Sequence, residues 1–232
     1  MSFEALVGGV AVTVRESARA RRIRLGVDPR SGTVILTIPR RASRRRALAW
    51  AATQQGWIAE RLAALPGAVP IAPGVLIPFR GVERRIDWSP DRPRRVSLDD
   101  ERLIVGGPLD GLGARVLRWL RGEALACLSR ETLEIAARAG VAVVRIGVGD
   151  PASRWGSCSS SRTIRYSWRL ILAPDFVRRA TVAHEVAHLV HLNHGPDFHA
   201  LAARLLGEDP GPARTWLRRH GATLHMVGRL RP

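Results

Sequence analysis

The chain has 232 residues, enough for one large domain or two small ones with a real core, and its 46% hydrophobic content excludes a disordered chain. No apolar run reaches the roughly 18 residues a membrane helix needs, no signal peptide is expected at the start, and two cysteines, Cys127 and Cys158, exclude a disulfide scaffold and point to a reducing cytoplasm. The net charge of +17 is carried by 37 arginines and no lysine, which excludes a P-loop lysine and Schiff-base chemistry.

Residues 7–39 read as β-structure, with Val10, Val12 and Val14 alternating, then Ile23, Leu25 and Val27, then Val34, Leu36 and Ile38. Asp28-Pro29-Arg30-Ser31-Gly32 is a turn signal. Ser43 is placed to cap a helix whose stripe is Leu48, Ala51, Ala52, Ile58 and Leu62, with Trp50 and Trp57 packed on it and Pro66-Gly67 at its end. Residues 66–113 are rich in Pro and Gly and carry short strands, near 75–77, 82–86, 96–98 and 103–105, that read as meandering hairpins. This is the expected boundary region, giving a β-rich N-terminal part, 1–112, and a second domain, 113–232. A long helix is expected over 114–139, on Val116, Leu120, Ala124, Leu128, Leu133 and Ala136, stopped by Gly140. A strand over 141–148, a serine-rich loop over 155–161 and a strand over 163–172 follow. Pro174-Asp175 opens the next helix, with Asp175 as its cap, and two short helices lie near 197–206 and 211–219. The whole reads as α+β.

The chemistry concentrates in His184-Glu185-Val186-Ala187-His188, an H-E-x-x-H string. Residues four apart on a helix share a face, so His184 and His188 can bind one metal ion, and Glu185 can accept a proton from the water that such an ion polarises. The string alone arises by chance in on the order of 1% of chains this size, so its setting decides. Here it lies in an apolar helical run, 176–192, preceded by a strand. A narrow polar stripe on an otherwise buried helix needs a partner, and a metal is a good one.

A catalytic zinc takes three protein ligands and keeps one position open. His191, seven residues from His184 on the same face, would stand roughly 10 Å along the axis, too far to join the site. It reads as cleft-lining or as a solvated surface histidine. His194 is favoured, because Asn193 and Gly195-Pro196 break the helix where the chain must turn back. His199, His220 and His225 read as surface or packing histidines. For an oxyanion donor the candidates are Tyr166, the single tyrosine, with Arg154, Arg165 and Arg169, and core packing suits Tyr166 better.

Arg154-Trp155-Gly156-Ser157-Cys158-Ser159, the run Trp168 to Pro174, and His184-Glu185 through Asn193-His194 and Phe198 together resemble the YgjP-like (DUF45) metallopeptidases, grouped with M48 peptidases and related to SprT-like and WLM zincins. The resemblance covers most of the chain and is strongest from 150 to 200. It implies a zincin-like fold in which an H-E-x-x-H helix carries the site, zinc on His184, His188 and His194, and Glu185 as the base. The chain departs from the family pattern at His199, where Trp is usual, and at Ser167, where Asn is frequent; neither touches the expected ligands. The Arg154–Ser159 loop reads either as a cleft wall that positions substrate or as a tight turn, with Gly156 for the backbone and Trp155 for packing. Cys158 as a fourth ligand would close the site, so it reads as structural.

The expectation is therefore a cytoplasmic zinc peptidase acting on a peptide or protein. Two alternatives stand beside it. Some members of the resembled family are described as nucleoside triphosphate pyrophosphatases, although imidazole ligands suit zinc better than the Mg²⁺ of phosphate chemistry. The analogy with SprT-like proteases suggests a DNA-associated role, with weak nucleic-acid contact through Arg40, Arg41, Arg44, Arg45 and Arg46, a cluster that also reads as a solvated helix start.

Overall fold

A computed structural model describes residues 2–28 and 31–229. The chain divides into two compact units, Met1–Gly67 and Ala68–Pro232.

The first unit is a four-stranded sheet with two helices. Its strands are β1 (Ser2–Val7), β2 (Val10–Ser17), β3 (Arg24–Val27) and β4 (Val34–Pro39), in the order β1-β2-β4-β3. β2 and β4 run parallel, with Val12 opposite Val34 and Val14 opposite Leu36. Strict alternation along β4 buries Val34, Leu36 and Ile38 on one face, as a period of two requires. Those side chains meet Ala47 and Ala51 of α1 (Arg44–Ala52) and Ile58 of α2 (Gln55–Ala63). Part of the expected 28–32 turn lies outside the described residues, but the Gly32 N–H donates to the Asp28 carbonyl at 2.9 Å.

Ser43 caps α1 as expected, accepting the Arg46 N–H. The single helix expected from Ser43 to Pro66 is two helices. The Thr53 hydroxyl and amide both donate to the Trp50 carbonyl, at 2.7 and 3.1 Å, which tightens the last turn and ends α1. Trp50 is exposed rather than packed, whereas Trp57 is half-buried with Arg61 over its ring. In the 40–46 arginine cluster, Arg44 is paired with Glu16.

The second unit begins with β5 (Leu76–Phe79), β6 (Val82–Ser89), β7 (Val96–Leu98) and β8 (Arg102–Gly106), ordered β5-β6-β8-β7. Two antiparallel hairpins are joined by a parallel β6–β8 pairing, not a simple meander. Ile77, Phe79, Ile86, Leu103 and Val105 share one core with Val116, Leu120 and Ala124 of α3 (Leu112–Ala139). That shared core keeps this sheet with the helices that follow. The units therefore part at Gly67, the start of the Pro/Gly-rich region, rather than at 112.

Gly140 ends α3 in the left-handed conformation, as expected. Leu133, placed in the α3 stripe from the sequence, is exposed; the buried face runs through Leu128, Glu131, Thr132, Ile135 and Ala136, which keeps the three-to-four spacing that a step of five breaks. A three-stranded sheet comes next: β9 (Arg145–Gly149), β10 (Gly156–Cys158) and β11 (Thr163–Ser167), ordered β10-β11-β9. β10 lies inside the segment expected to be a loop. The strand expected to reach Leu172 stops at Ser167, whose hydroxyl accepts the Arg169 N–H and starts a 3-10 turn, Trp168–Ile171.

The last three elements are α4 (Asp175–Ala187), α5 (Pro196–Leu206) and α6 (Gly211–Met226), the last a longer helix than expected. Asp175 is the first residue of α4 and not its cap; its carboxylate is taken by Arg80 and Arg178. Arg178 is buried and grips Glu131 of α3 through two hydrogen bonds of 2.7 and 2.9 Å. The fold is α+β, with a β-rich N-terminal part followed by helices.

Candidate metal centre

α4 is buried along most of its circumference, through Val177, Ala180, Val182, Ala183, Val186 and Ala187. It carries His184 and Glu185, and His188 is its C-cap in a right-handed helical conformation. The helix thus ends one turn earlier than the sequence suggests. Asn193 and Gly195 do not supply a left-handed stop: Gly195 is extended, and Arg80 and Arg162 are the non-glycine residues with positive φ among those described. The stop comes from the turn after His188, where the Leu189 and Val190 N–H groups donate three residues back, to the Val186 and Ala187 carbonyls, at 3.0 and 3.1 Å. The ring of His188 closes the same turn, with Nδ1 3.1 Å from the His191 carbonyl oxygen.

That contact has a chemical consequence. A carbonyl only accepts, so Nδ1 carries the proton and Nε2 presents its lone pair. His191 is therefore not a member of the helix face, as the sequence implied. Its part is a backbone carbonyl that fixes the tautomer of His188.

The turn returns the chain so that His194 reaches the same point. Nitrogens of His184, His188 and His194 all lie within 4.8 Å of one another, a set that can hold a metal ion. Nε2 of His194 stands 3.2 Å from Nε2 of His184. Two nitrogens bound at about 2.0–2.1 Å to one tetrahedral ion stand about 3.3 Å apart, so this pair is spaced to share one metal ion. Phe198 of α5 floors the group, its buried ring 4.5–4.9 Å from each imidazole. His184 is held down to about 4 by burial, aided by the neighbouring His188 and His194, so it is neutral at pH 7, the form that binds metal. Burial also lowers His188, against the pull of the His191 carbonyl.

Glu185 is buried, and its carboxyl is pushed up to about 7 by that burial, with Arg154 pulling the other way. It lies against the backbone of β10. A methyl placed on Gly156 would stand 2.4 Å from Oε1 of Glu185, so any side chain here would displace that carboxylate. Trp155, the preceding residue, is seated on α6: it stacks on His225 at 5.0 Å, and a methyl on Gly221 would meet its ring at 2.9 Å. The Arg154–Ser159 segment therefore both forms a wall beside Glu185 and is fixed by packing. Cys158 lies outside the histidine set and is a free thiol.

A cavity of about 310 Å³ opens beside His184 and Glu185, with Arg154, Trp155, Phe198, Ala202, Arg214 and Leu217 among its walls. Of the three arginines near the loop in sequence, only Arg154 lines it. Arg169 is buried and paired with Asp150, and it donates to the Leu224 and Val227 carbonyls. Tyr166 is buried and shares a 2.9 Å hydrogen bond with Thr132, so it packs in the core. Sequence reading did not find Arg214, Leu217 or the Trp155–His225 stack, because α6 carries no motif.

A family model described as "YgjP-like, metallopeptidase domain" matches residues 21–220. No curated protein and no solved structure matches the chain.

Proposed function

The chain belongs to the YgjP-like metallopeptidase family, and on that premise we propose that it is a zinc peptidase with His184, His188 and His194 as ligands and Glu185 as general base. The observation that carries the proposal is the convergence of three imidazoles, one with its tautomer fixed, beside a buried carboxylate. Zinc, when bound, supplies a Lewis acid that makes water nucleophilic near pH 7 and polarises a carbonyl. Glu185 accepts the proton of the attacking water and returns it to the leaving amine. Gly156 leaves the room that the carboxylate needs, and His191 holds His188 in register. Phe198 and the α4 core keep bulk water from one side of the site.

The substrate in this reading is a peptide or protein. Free cysteines, and no helix among the described residues long and apolar enough to cross a membrane, fit a cytoplasmic setting. The triphosphate alternative is weaker, since among the described residues Glu185 is the one carboxylate on the cavity wall, where Mg²⁺ chemistry usually recruits several. The DNA-associated alternative rests on the 40–46 arginines, of which Arg44 is already engaged by Glu16.

Metal analysis tests the ligand set. One equivalent of zinc per chain is expected in the wild type and in His191→Ala, with strong loss in His184→Ala, His188→Ala and His194→Ala. Full occupancy in His194→Ala would refute the assignment.

A further inference from the structure

We propose that the cavity beside the histidines recognises a substrate carboxylate flanking an apolar side chain, with Arg154 and Arg214 as its anion-binding groups; this deepens the peptidase reading and rests on it. The cavity exists because three helices meet there through small residues: Ala180 of α4, Ala202 of α5 and Ala213 of α6. Trp155, Phe198 and Leu217 complete an apolar lining. A hollow of about 310 Å³ with such walls suits one apolar side chain and its adjoining backbone.

Charge defines what sits beside that side chain. Among the described residues, neither the Arg154 nor the Arg214 side chain forms an ion pair, and the acidic group that Arg154 acts on is Glu185 itself. With 37 basic and 20 acidic residues, unpaired arginines must occur somewhere. The informative point is their place, at the wall of the same cavity as Glu185. Buried or functional-site neighbours differ: Arg169 has Asp150, and Arg178 has Glu131. The first amide of α6 offers no anion site of its own, because the Gly211 N–H already donates to Asp209 at 2.9 Å. The guanidiniums are the charged donors on this wall, beside the His199 imidazole, and they bind a carboxylate through paired N–H groups. Beyond Trp155 and Leu217 the surface continues into a wider depression, about 600 Å³, where Arg214 is joined by Arg218. A positive surface that extends outward from the cavity draws acidic segments and repels basic ones.

An apolar hollow with cations on its wall fits a peptide better than a triphosphate, which needs charge along its whole length. The carboxylate can come from an Asp or Glu side chain or from a free C-terminus.

Calorimetry on the full-length, zinc-loaded Glu185→Gln protein tests the proposal without turnover. Four short peptides share one apolar residue: a neutral capped peptide, one with an adjacent Glu, one with an adjacent Lys, and one ending in a free carboxylate. Binding of the Glu or free-carboxylate peptide should exceed that of the Lys peptide by on the order of tenfold or more. Whichever of the two binds tighter identifies the source. The preference should vanish in Arg154→Ala and Arg214→Ala and invert in Arg214→Glu; both positions are exposed, and a melting curve checks each fold. Equal affinities, or a preference unchanged by Arg214→Glu, would overturn the carboxylate site. ATP binding that depends on both arginines, with no charge preference among peptides, would also overturn it and assign the cavity to phosphate. Cleavage assays with active enzyme separate the two readings: Glu185-dependent hydrolysis without charge preference defeats the carboxylate site alone, whereas no hydrolysis of any peptide defeats the peptidase reading as well.

Discussion

Arg178→Met should destabilise the second unit severely, because it strands a buried charge. Arg178 and Glu131 are 1% and 5% exposed, and the guanidinium makes hydrogen bonds of 2.7 and 2.9 Å to Glu131 and 2.8 Å to Asp175. Removing one member of a buried pair costs about 3–5 kcal/mol, since the partner stays desolvated and unpaired. For a unit of this size each kcal/mol lowers the melting temperature by about 2–4 °C, so a fall of about 6–20 °C is expected at pH 7. The double variant Glu131→Leu/Arg178→Met removes both charges and should recover most of that loss, because apolar side chains of similar volume can fill the site. Asp175 keeps Arg80 in either variant. Differential scanning calorimetry on the metal-free chain reads both values. A single-variant loss below about 1 kcal/mol, or a double variant no better than the single, would refute the claim that this pair locks α4 to α3. Arg178 is six residues before His184 on α4, so the same lock sets where the first imidazole stands.

Gly156→Ala should leave zinc bound and lower kcat/KM by about 100-fold, the scale of a 1 Å displacement at a catalytic group; parallel metal analysis and peptide kinetics check it, and unchanged kinetics would show that Glu185 has another place to stand. Asp175 is pulled down to about 2, chiefly by its hydrogen bonds to Arg80 and then Arg178, against its partial burial. A depressed carboxyl contributes stability above its unfolded pKa near 4 and loses it as pH falls toward 2, so acid titration of the wild type should show a drop in that window that Asp175→Asn lacks. Gly221→Val should push Trp155 from its seat on α6, seen as a change in tryptophan fluorescence together with weaker peptide binding; an unaltered spectrum would contradict the packing described here.

Much of this was legible in the sequence because it is local. The H-E-x-x-H spacing, the alternation of Val34, Leu36 and Ile38, the Ser43 cap and the Gly140 stop are each decided within a few residues. Two local readings failed for a reason that spacing does not carry. Thr53 and His188 each end a helix through hydrogen bonding to a carbonyl three residues away, with Thr53 using its side chain and amide toward Trp50 and His188 its ring toward His191. The chain does bring His194 beside His184, yet it is the turn after His188 that makes that return, not Asn193 or Gly195. Long-range features left no trace in the pattern. Glu131 and Arg178 read as ordinary surface charges on two amphipathic helices, and Arg214 reads as one arginine among 37 until α6 places it at the cavity.

Hydrolysis of an unfolded protein by the zinc-loaded chain, compared with Glu185→Gln at equal zinc occupancy, decides whether Glu185 is the base of a zinc peptidase. Cleavage by the wild type that chelation removes and zinc restores is expected, with none above background in Glu185→Gln. Equal cleavage by the two proteins would contradict it.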